Sequence, residues 1–281
     1  MNELVIGTSN FNQNYGLSNK KLNKEEVQSI LSLAKKKKIK YIDTAIDYNL
    51  TVDFLKKNSF KNFKIITKFK LPKKKRKEFV NNLELIILNE IKKFNIKAFH
   101  AVLLHRSSDL STIYGKKIIN TLLSLKRKNL IKHVGLSVYD FKEFKKIPSS
   151  FRVELVQLPI NIFDQRFLQK KILKFFSKRK IKLQARSIFL QGGLLTKNKR
   201  IKNLEKFQDI FFKYCKKNLI DPLTASLSFV KNLDQFKYIN VGIDDIKQLK
   251  LIIKCWNNKK NLNFNEFKIK NFKIIDPRKW K

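Results

Sequence analysis

Residues 41–48 read YIDTAIDY. An apolar run leads in through Ile39, Tyr41 and Ile42 and stops on a carboxylate, Asp43. A phenol, Tyr48, follows in the next loop. A buried strand that ends on one ionisable group, with a second just beyond, points to chemistry at the strand end rather than packing alone. The test is whether other strands end the same way.

Apolar, β-branched segments recur along the chain. They are 4–8, 39–45, 63–69, 99–105, 133–138, 154–161, 182–188 and 238–243. Most are near-continuously hydrophobic, as strands covered on both faces are. Helical patterns alternate with them: 24–37, 77–94, 116–128, 167–178, 203–217 and 245–256. In the first, Val27, Ile30, Leu31 and Ala34 share a face, Asn23 is placed to cap, and Glu25 and Glu26 fill the first turn. Alternation of this kind gives a parallel sheet, and eight strands are what a closed (β/α)8 TIM barrel needs. Between the seventh and eighth strands there is room for two helices, the second opened by Asp221 and Pro222. The expectation is an α/β barrel forming one domain over 1–281, with the polar tail 257–281 packing back on it.

The chain has 281 residues and a net charge of +41. Such a charge on its own suggests nucleic acid or an anionic surface. The lysine runs, however, are spread through the predicted helices and would ring the fold rather than form a stripe. Lys, Asn, Ile and Phe, the residues in excess, are those an AT-rich genome favours. Nucleic acid is therefore not the expected partner; retention on heparin up to high salt would argue the other way. No apolar run approaches a membrane span, and the first residues read as a strand rather than a signal peptide. Cys215 and Cys255 have no metal or redox spacing. A reduced, cytoplasmic setting and no metal are expected.

Polar residues gather where barrel active sites lie, at the C-terminal strand ends. The second strand ends on Asp43, the third on Lys68, the fourth on His105, the fifth on Ser137; the sixth carries Gln157 and ends near Asn161, and the seventh ends near Arg186 and Ser187. Each has an ordinary reading by itself. Asp43 suits a turn, Tyr48 suits packing, and one lysine among so many means little. His100 begins one strand and His133 precedes another, and both read as structural. The ordered set reads differently. A phenol has a pKa near ~10 and needs help to transfer a proton at neutral pH. The Lys68 ammonium can supply charge that lowers it, Asp43 can keep Lys68 protonated, and His105 can orient a carbonyl. That is the acid half of a carbonyl reduction, and its hydride must come from a cofactor.

On these residues the sequence resembles the aldo/keto reductase superfamily. YIDTAIDY is similar to its second-strand motif, IITKF to its lysine strand and LLHR to its histidine strand; VGLSVY, VQLPIN and RSIFLQGGLL follow in order. GTSNFNQNYGLSN near the start, with RSIFLQGGLL, resembles a branch found with bacterial surface-polysaccharide and modified-sugar biosynthesis. The resemblance implies an NAD(P)(H)-dependent oxidoreductase acting on a small carbonyl or sugar-like substrate. By position, Tyr48 would be the proton donor, Asp43 and Lys68 would tune it, and His105 would orient the substrate. Ser137 and Gln157 would hold the nicotinamide amide, and Arg186 stands where an aromatic residue commonly stacks on the nicotinamide. Ser187, Gln191, Gly192 and Leu194 would follow the cofactor to its pyrophosphate, and the loop with Gly242, Asp244 and Gln248 would meet the adenosine end. The family implies NADP, with NAD the alternative, since Asp244 and Asp245 stand where basic residues would hold a 2′-phosphate; Lys247 and Lys250 are the nearby cations. Asn49 replaces the family's Gly after Tyr48 and Val138 an Asn after Ser137. The altered loop keeps a second reading open, a non-catalytic NADP(H)-binding regulatory or partner-binding module.

Overall fold

The computed structural model describes residues 2–48, 50–51, 54–55, 59–148, 150–258, 260 and 262–280. Asn49 and part of the LTVDFL segment, on which the altered-loop reading rests, lie outside them. Eight parallel strands close into a barrel in chain order. They are β1 (Glu3–Gly7), β2 (Tyr41–Asp43), β3 (Lys64–Phe69), β4 (Phe99–Leu104), β5 (Ile131–Ser137), β6 (Leu155–Pro159), β7 (Lys182–Arg186) and β8 (Phe236–Val241). The (β/α)8 expectation holds.

Helices cover the outside: α1 (Lys24–Lys36), α2 (Arg76–Asn81), α3 (Leu83–Phe94), α4 (Gly115–Arg127), α5 (Lys170–Lys178), α6 (Glu205–Lys217), α7 (Pro222–Lys231) and α8 (Ile246–Asn257). The α1 start is a complete capping box between Asn23 and Glu26, which satisfies amide donors that the first turn would otherwise leave unpaired. Asp221 accepts from the Thr224 N–H with Pro222 in the first turn, so two helices do fill the β7–β8 connection. One expectation changes. The 77–94 helix is broken at Asn82 into α2 and α3, which both turn apolar residues inward. Between β5 and β6, where the sequence carries no helical pattern, the described residues form a 3-10 turn, Phe141–Lys146. Phe141 and Phe144 pack edge-on against Phe175 and Phe176 of α5 and cover the apolar surface that a helix would otherwise hide.

The tail returns to the barrel through Phe264, Phe267, Ile269 and Ile275, all buried. The Ile269 N–H donates to the Phe163 carbonyl at 3.0 Å, and Gln165 Nε2 donates to the Phe264 carbonyl at 2.8 Å. Among the described residues, no helix is long and apolar enough to cross a membrane.

Side chains alternate along a strand, so one parity faces the barrel interior. Val5, Tyr41, Ile66, Ala101, Leu103, Leu155 and Tyr238 form an apolar cluster separate from the main core. Two residues further along their strands, the same parity gives Gly7, Asp43, Lys68, His105, Gln157 and Asn240. Thus an apolar floor carries a polar layer, and the strand ends place that layer at the mouth. Gly135 is required in this column because a Cβ there would lie 1.9 Å from the Leu155 carbonyl oxygen.

Candidate active site

The polar layer is built around one carboxylate. Lys68 is 2% exposed, and its ammonium bonds Asp43 Oδ1. Asp43 Oδ2 accepts from Gln157 Nε2 at 2.6 Å and from Gln184 Nε2 at 3.0 Å. Burial pushes the Lys68 pKa down, and Asp43 opposes that shift. This is the arrangement expected for the pair. Gln184, on β7 directly across from Gln157 in register, was not singled out from sequence.

Tyr48 lies above the pair, with Lys68 Nζ 5.6 Å from its ring centroid. Its hydroxyl has no protein partner among the described residues, and the residue lines the cleft described below. One expectation is corrected: the phenol pKa is raised, not lowered. Burial is the main cause, with the charges of Asp43 and Asp47 adding to it, and the cation that opposes them is Arg186. Lys68 is bonded to Asp43, and it is the Asp43 charge that reaches the phenol. The site thus holds Tyr48 as a neutral phenol, the form that has a proton to give.

The His105 ring sits edge-on to Tyr48 at 6.4 Å. Its Nδ1 is buried without a hydrogen bond and lies 3.8 Å from Asp47 Oδ1. Burial lowers the His105 pKa against the pull of Asp47, so the ring is neutral at neutral pH and carries one N–H. Burial would raise the Asp47 pKa, but His105 and Lys70 hold it well below the usual carboxylate range. Asp47 was legible in the opening stretch, between Asp43 and Tyr48, yet its partners were not.

These groups line one end of an open cleft of about 970 Å³. Arg186, Ser187, Gln191, Gly192, Gly242, Asp244 and Gln248 all line it, as does Gln157. Ser137 and Leu194 do not. Ser137 is buried and donates to Gln157 Oε1 at 3.2 Å, so it acts through Gln157. The Leu194 N–H is taken by the Phe189 carbonyl at 3.2 Å. The Asp244 carboxylate is met by Asn10 Nδ2 at 3.4 Å and Lys199 Nζ at 3.7 Å. Lys247 and Lys250 are exposed and outside the cleft lining. Asn10, Tyr15, Tyr139 and Asn240 also line the cleft and were missed from sequence. Asn10 and Tyr15 sit in an aperiodic loop; Asn240 shares the parity of Tyr238 and could have been found from that.

The cleft suits a dinucleotide. Asn10 and Asn240 line it, and each has a buried Oδ1 acceptor without a donor among the described residues. The N–H groups of Ile188 and Phe189 have no acceptor among the described residues, and Gly192 follows them at φ +94°. Free backbone donors beside a positive-φ residue are suited to phosphate oxygens. A Cβ on Gly242 would meet nothing within 4 Å, so the cleft stays open there.

The barrel thus sets a buried Lys–Asp pair and a phenol at the end of an open cleft. The aldo/keto reductase family model matches residues 3–274, and the chain belongs to that family of oxidoreductases, whose chemistry typically uses NAD(P)H. No curated protein matches the chain. Among solved structures, the aldo-keto reductase-type protein PA4992 of Pseudomonas aeruginosa is 16% identical, with 91% of this chain and 90% of that one covered at a TM-score of 0.63. The glycerol dehydrogenase AKR11B4 of Gluconobacter oxydans is 17% identical, covering 94% and 88% at a TM-score of 0.68. At these identities the likeness is one of fold.

Proposed function

We propose that the protein catalyses reversible carbonyl reduction with Tyr48 as proton donor. The observation that carries this is the free Tyr48 hydroxyl, held protonated above the Lys68–Asp43 pair and beside His105. A bound nicotinamide dinucleotide supplies the hydride. Asn10, Asn240, Gly242 and the 188–192 backbone would hold it, with Gln157 at its reactive end. The chain's part is positional and acid–base. His105 donates its N–H to the substrate oxygen and polarises it. Tyr48 gives that oxygen a proton as negative charge builds there. Lys68, kept charged by Asp43, stabilises the phenolate left behind, and a proton returns to Tyr48 before the next cycle. In the oxidative direction Tyr48 takes the alcohol proton.

A sugar-like substrate fits the mouth above Tyr48, where Gln13, Asp47, Lys70 and Gln191 offer polar groups to hydroxyls. One structural neighbour is a glycerol dehydrogenase, in keeping with a hydroxylated substrate. A place in polysaccharide or modified-sugar biosynthesis, and a cytoplasmic setting, extend the same reading. The family resemblance implies NADP, whereas Asp244 favours NAD. A ribose 2′-hydroxyl can donate to this carboxylate, while a 2′-phosphate needs Lys199 to change partners. Comparing NADH and NADPH dissociation constants by fluorescence in wild type and Asp244→Ser decides it; NADH should bind tighter to wild type.

The direct test is cofactor oxidation by the purified protein across a panel of aldehydes and sugars. Tyr48→Phe should lower kcat/KM by roughly 10²–10⁴-fold with dinucleotide binding retained. Unchanged turnover in Tyr48→Phe excludes this proton path. Binding without turnover on any carbonyl supports the non-catalytic module instead.

A further inference from the structure

Among the described residues, several cations around the barrel mouth are paired with carboxylates. Lys68 pairs with Asp43, Lys70 with Asp47, Arg278 with Asp276, Arg166 with Asp164, and Lys199 with Asp244. Arg186 lines the cleft and forms no ion pair with a carboxylate within 4 Å among the described residues. Its guanidinium is nonetheless held in place. It lies 4.0 Å from the Tyr139 ring centroid, donates from Nη1 to Ser187 Oγ at 3.2 Å and makes a longer contact from Nη2 to the Val138 carbonyl at 3.4 Å. Arg278 lies 3.5 Å from the same centroid, and two groups so close to one ring must take opposite faces. Arg278 is neutralised there by two-pronged bonds to Asp276, with Nε to Oδ1 at 2.9 Å and Nη2 to Oδ2 at 2.6 Å. Arg186 makes no ion pair among the described residues; the carboxylate that feels its charge, the buried Asp164, is already bonded to Arg166. Of five N–H donors two are used, and the remainder suit a planar oxyanion.

Arg186 belongs to the reaction end of the cleft. Its charge is felt at Tyr48, Lys68, His105 and Tyr15. A half-buried guanidinium with no ion-paired carboxylate among the described residues, stacked and hydrogen-bonded in one pose beside a proton donor, is suited to an anionic ligand.

We infer that Arg186 is a specificity-determining residue that pairs with an anionic group, a carboxylate or a phosphate, carried by the substrate close to its reacting carbonyl. This rests on the carbonyl-reduction reading above. It gives Arg186 a role toward substrate in place of the stacking position against nicotinamide that the family resemblance implied.

Glyoxylate and glycolaldehyde are matched in size and differ in charge. Wild type should favour glyoxylate in kcat/KM. Arg186→Gln should lower the glyoxylate-to-glycolaldehyde ratio by roughly 10- to 100-fold, chiefly through KM, and Arg186→Lys should recover part of it. An unchanged ratio, or a wild-type preference for glycolaldehyde, overturns the inference. A rise in the NADH dissociation constant that matches the lost kcat/KM would assign Arg186 to the cofactor diphosphate and also overturn it.

A second measurement needs no turnover. Malonate, or inorganic phosphate if the natural group is a phosphate, should raise the Tm of wild type but not of Arg186→Gln. No shift with either anion in wild type overturns the inference. A malonate shift that depends on Arg186, in a protein whose turnover is unaffected by Tyr48→Phe, would retain the anion site while rejecting the proposed proton path.

Discussion

His100 gives the most quantitative test of the barrel floor. Its ring is 8% exposed, its Nε2 is 2.7 Å from the Tyr238 hydroxyl, and the rings of Tyr41 and His133 sit edge-on at 5.1 Å. Burial, helped by the charges of His133, Lys182, Lys132 and Lys64, pushes its pKa from 6.5 down to about 3. The folded-state value is depressed, so the stabilisation is fully present above the unfolded pKa near 6.5 and is lost as pH falls toward 3. At pH 5 the unfolded ring binds its proton with about 1.5 units of driving force, and the folded ring stays neutral. At about 1.4 kcal/mol per unit, this costs the folded state roughly 2 kcal/mol relative to pH 7. His100→Gln keeps a polar partner for Tyr238 and removes the titration. Urea unfolding at pH 7, 6 and 5, at constant ionic strength, should show wild type losing roughly 2 kcal/mol more than the variant between pH 7 and 5. His133, pushed down to about 4, remains in both proteins. Parallel loss in both would refute the assignment of a buried neutral His100.

Three further substitutions test the frame and the cleft. Gly135→Ala places a Cβ 1.9 Å from the Leu155 carbonyl oxygen, so β5 and β6 must separate; thermal melts should show a loss of at least about 1–3 kcal/mol, or no folded protein. Asp43→Asn leaves the Lys68 ammonium buried without its carboxylate. Urea unfolding should show a cost of about 3–5 kcal/mol, and the alkaline limb of the rate profile should move to lower pH as Lys68 gives up its proton more readily. Gly242→Trp extends into open cleft, where a Cβ meets nothing within 4 Å. NADH affinity by fluorescence should fall at least about tenfold, with the Tm within a few degrees of wild type.

The barrel was legible because its strands are covered on both faces and its helices on one, and each condition leaves a period in the sequence. Asp43, Lys68 and His105 were legible for a related reason: a polar residue that interrupts an apolar strand at its end must have a purpose. Tyr48 followed from its place beside Asp43. The direction of its pKa shift did not, because it depends on burial and on charges the fold gathers, with Asp43 and Asp47 raising it and Arg186 of β7 lowering it. Gln184 was passed over as one more polar residue, although its parity matches Arg186. Asn10 and Tyr15 sit in a loop with no period to read. Arg278 reaches Tyr139 only because the tail folds back, and nothing in residues 257–281 encodes where it lands. The helix break at Asn82 was hidden because α2 and α3 keep their apolar residues on the side facing the barrel.

Asp43 spans the barrel lumen. Through one carboxylate it joins β2 to Lys68 on β3, Gln157 on β6 and Gln184 on β7. Gln157 has both ends engaged, Nε2 on Asp43 and Oε1 on Ser137. A nicotinamide amide that recruits Gln157 either uses its second N–H and second lone pair or displaces one of these bonds. If the bond to Asp43 goes, the carboxylate keeps fewer neutral donors and leans harder on Lys68. The arrival of a cofactor would then be registered, through a single side-chain amide, as a change in the grip on the ammonium beneath Tyr48, before any substrate has entered.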